Sequence, residues 1–196
     1  MAAQKNSKAP KKQGSDWRWI FTIFFITVLI SAVMSLISTN LLSSATLGVS
    51  FVILICIIAI GIVFDIIGVA VTAADEKPFH SMASRKVPEA TQALKLIRNA
   101  GRVSSFCNDV IGDICGVISG SAAATIAARV LAMHPGMREI VLTLAMSALA
   151  AGLTVGGKAC GKSFAIDSST SVVRTAAMVL HFFHTIPEKL RPKRRR

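Results

Sequence analysis

Three carboxylates stand inside the long apolar runs of this chain: Asp65, Asp109 and Asp113. A charged side chain at membrane depth costs roughly 2.5–3.5 kcal/mol on insertion scales, so each needs a partner or a task. Asp65 lies ten residues before Asp75, where a polar connection begins, and Asp113 eleven after Arg102, where that connection ends. At the helical rise both sit about 15 Å in from the same end of their segments, a spacing that lets them face each other. Asp109 precedes Asp113 by one turn on the same face, and Asn108 and Gly112 share the neighbouring face. Carboxylate, amide and backbone oxygens converging between two helices suit a hard, partly hydrated divalent cation such as Mg²⁺. No His or Cys pair lies convincingly at that depth, which argues against zinc or copper. The competing reading is structural, with Asp109 or Asp113 protonated, interfacial, or paired with Lys158 or Arg102.

Two other patterns promise more chemistry than their surroundings support. Gly156, Gly161, Lys162 and Ser163 spell G-x-x-x-x-G-K-S, a phosphate-cradling pattern that needs a strand before it and a helix after it. An Ala/Leu-rich apolar run precedes it instead, so the glycines are expected to end a membrane helix, with Lys158 and Lys162 meeting lipid headgroups. His181 and His184, three residues apart near a chain end, are expected to reach an interface rather than hold a metal. Cys56, Cys107, Cys115 and Cys160 show no paired spacing and read as small thiols, without a disulfide framework. No nucleophile–base pair is visible, and enzymatic activity is not expected.

The elements that must position the acids are membrane helices. The chain has 196 residues, 53% of them hydrophobic and only 16% charged, with mean hydropathy +0.60. Lipid is therefore the expected solvent. Four apolar runs are long enough to cross a bilayer: Trp19 to Ile37, Leu47 to Ala74, Val103 to Met133, and Ile140 to Val155. Trp17 and Trp19 sit where interfacial aromatics belong, and the first run is long for a cleavable leader and lacks a clear cleavage site. Ser38 to Thr46 reads as a tight turn, as do His134 to Met137. Val87, Ala90, Leu94 and Ile97 recur at helical spacing in the 75–102 connection, which predicts an amphipathic helix along the interface. A second such stretch carries Val172, Ala176, Leu180 and Phe183. The expected fold is all-α: a polytopic membrane protein of four transmembrane helices plus juxtamembrane amphipathic helices.

Charge sets the orientation. The net charge of +12 is concentrated in residues 1–18, the 75–102 connection and the C-terminal tail, with long uncharged runs between. Four crossings place all three basic pieces on one side, which the positive-inside rule makes cytoplasmic, as in a bacterial inner membrane. Little soluble chain remains to build a nucleic-acid module, whereas anionic lipid headgroups are natural partners for the basic pieces. Gly112, Gly116, Gly120, Ala124 and Ala128 recur every four residues, a small-residue stripe of the kind that brings helix backbones together. A homodimer through Gly112, Gly116 and Gly120 is the expectation.

Three segments then resemble the transmembrane domain of the CorC and cyclin-M family of magnesium transport proteins. FDIIGVAVTAADEKPFHSMA is similar to the family's F-S-x-x-E-x-A-L-T-x-A helix end, SSFCNDVIGDI to its G-N-N-L-V-N helix start, and VGGKACGKSFA to its F-G-E-x-x-P-K-x-x-A exit motif. The likeness spans about residues 45–185, in the family's order. It implies a three-helix domain with a juxtamembrane belt, dimeric, holding Mg²⁺ between its helices. By position the family's ligand serine falls on Asp65, its asparagine on Asn108, a small ligand residue on Gly112 and a backbone carbonyl near Gly157. The chain departs from the pattern at Asp65 for serine, Gly68 for glutamate, and Lys158 and Gly161 for the exit glutamate and proline. Extra carboxylates at Asp65, Asp109 and Asp113 would keep a cation site and alter its affinity. The domain division expected is a disordered basic tail at 1–18, an additional membrane helix at 19–41, the transporter-like domain at 42–186 and a basic tail at 187–196. Paired nucleotide-sensing domains do not follow within the sequence, so cytosolic gating of the family's kind is not expected. Two functions follow: divalent cation transport of the magnesium/cobalt type, or a non-transporting scaffold that binds partner helices and anionic lipids.

Overall fold

The computed structural model describes residues 17–190 apart from Pro135 and Met137, the side chains of Trp19 and residues 183–190 excepted. The basic tails expected at 1–18 and 187–196 lie largely outside the described residues, as does His184's side chain. The described chain is all-helical, without strands. In order it forms α1 (Trp17–Ser44), α2 (Leu47–Ala73), α3 (Lys77–Ser84), α4 (Ala90–Arg98) and α5 (Ala100–Ser105). A π-helical segment (Phe106–Gly112), α6 (Asp113–Met133), α7 (Glu139–Asp167) and α8 (Ser169–Leu190) follow. α5, the π segment and α6 are continuous, so the chain carries four helices long and apolar enough to cross a membrane: α1, α2, Ala100–Met133 and α7.

Serines and glycines do not end these helices where the sequence suggested. α1 runs through the supposed turn to Ser44, leaving only Ala45 and Thr46 as a link. Ser43 returns its hydroxyl to the Asn40 carbonyl, as hydroxyl side chains do within membrane helices. Ser38 and Leu42 are buried there, and Leu42 joins a core of Leu54, Ile58, Ala122, Ala123, Ile126 and Ala150. α7 likewise passes Gly156 and Gly157 and continues to Asp167. Gly157 and Gly161 receive the Ile62 and Ile66 side chains of α2, so these glycines set a close helix contact instead of a helix end. The phosphate-loop pattern lies wholly inside α7, where its backbone N–H groups serve the helix ladder.

The polar connection after α2 is also divided. It forms two short helices, α3 and α4, separated at Lys86, whose φ of 59° is left-handed, and at Pro88, which disfavours helix in the residue before it. Both pack beneath the bundle with α8. Phe79, Ala93, Val173 and Ala177 are buried there against Ala70 and Val71 of α2 and Ala165 of α7. Arg174 of α8 donates to Glu89 at the start of α4 across 3.4 Å. The result is a belt of amphipathic helices closing one end of the bundle, the end where α2 and α7 finish and α5 begins. At the other end Arg129 of α6 donates to the Ala45 carbonyl at 3.0 Å and to the buried Ser50 hydroxyl at 3.3 Å, holding the α1–α2 link.

Candidate functional site

The belt fixes a common zero for depth. Asp65 lies eight residues before the end of α2, Asn108 eight after the start of α5, and Lys158 nine before the end of α7. At the helical rise these are all roughly 12–14 Å from the belt end. By residue count the three fall at one level: Asp65 meets Lys158 between α2 and α7, and Asn108 packs on α2 from the π segment.

Asp65 and Lys158 form an ion pair across that seam, Nζ to Oδ1 3.4 Å, with the two side chains only 16% and 25% exposed. Gly112 adjoins them: a Cβ built there would stand 3.1 Å from the Lys158 Nζ and 3.9 Å from the Asp65 Oδ1. One turn along α2 from Asp65, Gly68 admits the Asn108 side chain. A Cβ on Gly68 would collide with the Asn108 amide oxygen and press on Cys107 Cβ at 3.1 Å. Asn108 Nδ2 donates to Ser104 Oγ at 3.3 Å, but its buried Oδ1 has no hydrogen-bond partner. A buried acceptor without a donor costs about 1–3 kcal/mol, and a native structure that keeps one invites a ligand, an ion or water at that point.

Asn108 lies in the π segment with its side chain against Gly68 of α2. Each π turn adds a residue relative to the α-helical repeat, and such turns collect at functional sites. After it the buried face of α6 runs through Ile114, Cys115, Ile118, Ala122 and Ile126. Cys107 and Val110 of the segment face inward too. That register leaves Asp109 and Asp113 on the outer face, both exposed, with no ion pair or side-chain hydrogen bond among the described residues.

Of the six expected cation ligands, then, Gly112 adjoins Asp65, and Asn108 packs on Gly68, one turn along α2 from it. Asp109 and Asp113 do not join them, and no group of three His, Cys, Asp or Glu side chains gathers among the described residues. Gly157 packs on Ile62, one residue from Lys158. The small-residue stripe divides in the same way: Gly112 faces the seam, whereas Gly116 and Gly120 open outward with nothing within 4 Å of a built Cβ. Lys158 is the site residue that sequence reasoning misplaced at the headgroups. Once α7 is carried past its glycines, its depth matches that of Asp65 and the pairing follows.

Set against known proteins, the chain matches no protein-family model, no curated protein and no solved structure.

Proposed function

We propose that this integral membrane protein binds a divalent cation of the magnesium/cobalt type in the α2–π–α7 seam and moves it across the bilayer, as the CorC and cyclin-M resemblance implies. The observation that carries this reading is the buried, unpartnered Asn108 Oδ1 at Gly68, one turn along α2 from Asp65, which the side-chain-free Gly112 borders. These are hard oxygen donors, too few to strip a cation bare but suited to Mg²⁺, which keeps several of its waters. Asp65 supplies the charge and Asn108 a neutral oxygen, and rocking of α7 against α2 over the Gly157 and Gly161 contacts would open the seam to either side. Asp109 and Asp113 lie outside this site and would act at most on an approach path.

The surroundings proposed are a bacterial inner membrane with both termini cytoplasmic, supported by the basic belt residues Arg85, Lys86, Lys95, Arg98 and Arg102 at one end. Those residues would contact anionic headgroups, and the open Gly116 and Gly120 face would seat a second copy in a homodimer. The rival reading is a non-transporting scaffold binding partner helices and anionic lipids. It draws on the Asp65–Lys158 pair, which already neutralises the one acid in the seam.

Thermal unfolding of the detergent-purified protein with and without millimolar Mg²⁺ separates the two. Transport predicts a rise in Tm that Asp65→Asn and Asn108→Leu each remove and Asp113→Asn leaves intact. A Tm unmoved by Mg²⁺, Co²⁺ and Mn²⁺ would move the assignment to the scaffold.

A further inference from the structure

Lys158 occupies the place where the charge of an incoming ion would be needed. Its Nζ meets Asp65 Oδ1 at 3.4 Å, longer than the about 2.7–2.9 Å of a charge-assisted hydrogen bond. The contact comes from a flexible four-carbon stem rather than a rigid fork. The ammonium also lies in the gap that a side chain at position 112 would fill, as the 3.1 Å approach of a built Cβ there shows. Meanwhile Asn108 Oδ1, a turn away on the same seam, has no donor. With lysine in the seam, one oxygen is held loosely and its neighbour is not served at all.

We infer that Lys158 is a tethered cation: it holds the Asp65 carboxylate while the seam is empty, and the transported ion enters by exchanging with its ammonium. This rests on the cation-binding reading above. Through the exchange Asp65 keeps a cation beside it, and the site gains one net positive charge as a divalent ion replaces the singly charged ammonium. A hydrated divalent ion brings two positive charges to Asp65 and water donors to Asn108 Oδ1, while the ammonium swings along α7 toward the belt. Bound side by side, the ion and the ammonium would place three positive charges against one carboxylate, so they compete. The tether keeps the ammonium at a high local concentration, which raises the threshold an ion must pass. Singly charged ions, with half the attraction for Asp65, are the ones this threshold excludes. The same swap keeps Asp65 from standing bare in the membrane between ions, where an unpaired carboxylate is costly.

The test is the Kd for Mg²⁺ of the full-length, detergent-purified chain by titration calorimetry, for wild type, Lys158→Met, Lys158→Arg and Asp65→Asn. Exchange predicts that Lys158→Met binds Mg²⁺ about tenfold tighter than wild type and that Lys158→Arg, which restores the charge, returns toward the wild-type value. Asp65→Asn should lose binding. Lys158→Gln, which keeps a donor for Asp65, serves as the neutral variant should the Met protein not fold. A neutral Lys158 variant that is folded and binds Mg²⁺ no tighter than wild type would overturn the tethered-cation inference and leave cation binding standing. Binding by none of the proteins would overturn both.

Discussion

The inner seam and the outer face of the third span use the same residue types to opposite ends. In the seam an aspartate has a lysine partner at 3.4 Å, an asparagine is seated in the space of a missing side chain, and Gly112 borders the pair. On the outer face Asp109, Asp113 and Gly120 are exposed, and half-buried Gly116 has open space where a Cβ would stand. Sequence spacing alone puts Asp109 and Asp113 beside Asp65, because an α-helical repeat carries Asn108, Gly112 and the acids on adjoining faces. The packed face of the third span, through Ile114, Cys115, Ile118 and Ala122, leaves both acids on the other side. Identity and spacing therefore name the candidates, and the face on which the third span packs decides which of them meet the seam.

The largest difference between the two regions should appear on removing the acids. Asp65→Leu leaves the Lys158 ammonium without its counter-charge at membrane depth, and should cost about 3 kcal/mol in an SDS or thermal unfolding titration. Asp109→Leu should be neutral or stabilising under the same conditions. Equal losses at both positions would show that the outer acid is also engaged.

The glycines give the next contrast. A Cβ at Gly61 of α2 would stand 2.9 Å from Cys115 Cβ of α6, a backbone-anchored neighbour that cannot swing away. Gly61→Ala should therefore lose about 2 kcal/mol by pushing α2 from α6. Gly116→Ala meets open space and should gain a few tenths to about 1 kcal/mol from helix propensity. If the proposed homodimer forms on this face, light scattering of Gly120→Leu should report a smaller species than wild type without a change in Mg²⁺-dependent stabilisation.

Asn108→Leu sharpens the comparison most finely. Replacing a buried acceptor that lacks a donor by an apolar group of similar size should leave stability unchanged or raise it by up to about 1 kcal/mol, while Mg²⁺ no longer shifts the Tm. A side chain kept only for packing would show the reverse: lost stability and an unchanged response to Mg²⁺.

Much of this architecture was legible in the sequence because lipid writes simple rules. Four apolar runs and two amphipathic stretches can be read from length and period, and the described chain carries them as helices. The misplaced boundaries share one cause. Serine, asparagine and glycine read as helix ends in water, but inside a membrane Ser43 bonds back to its own helix and Gly157 and Gly161 receive isoleucines. Ending α7 near Val155 sent Lys158 to the headgroups and hid its pairing with Asp65. The π segment had no signature to find, since an extra residue per turn changes neither composition nor hydropathy. The 75–102 connection was amphipathic as expected, yet the break at Lys86 and Pro88 follows from local backbone preference, which a face-by-face count overlooks.

The most direct test of the central claim is Mg²⁺ entry into proteoliposomes loaded with a Mg²⁺-sensitive dye, comparing wild type, Asp65→Asn and Asp113→Asn at equal incorporation. A cation site in the seam predicts flux in wild type, its loss in Asp65→Asn and at least half of it retained in Asp113→Asn. Flux that survives Asp65→Asn, or none in wild-type vesicles, would contradict it.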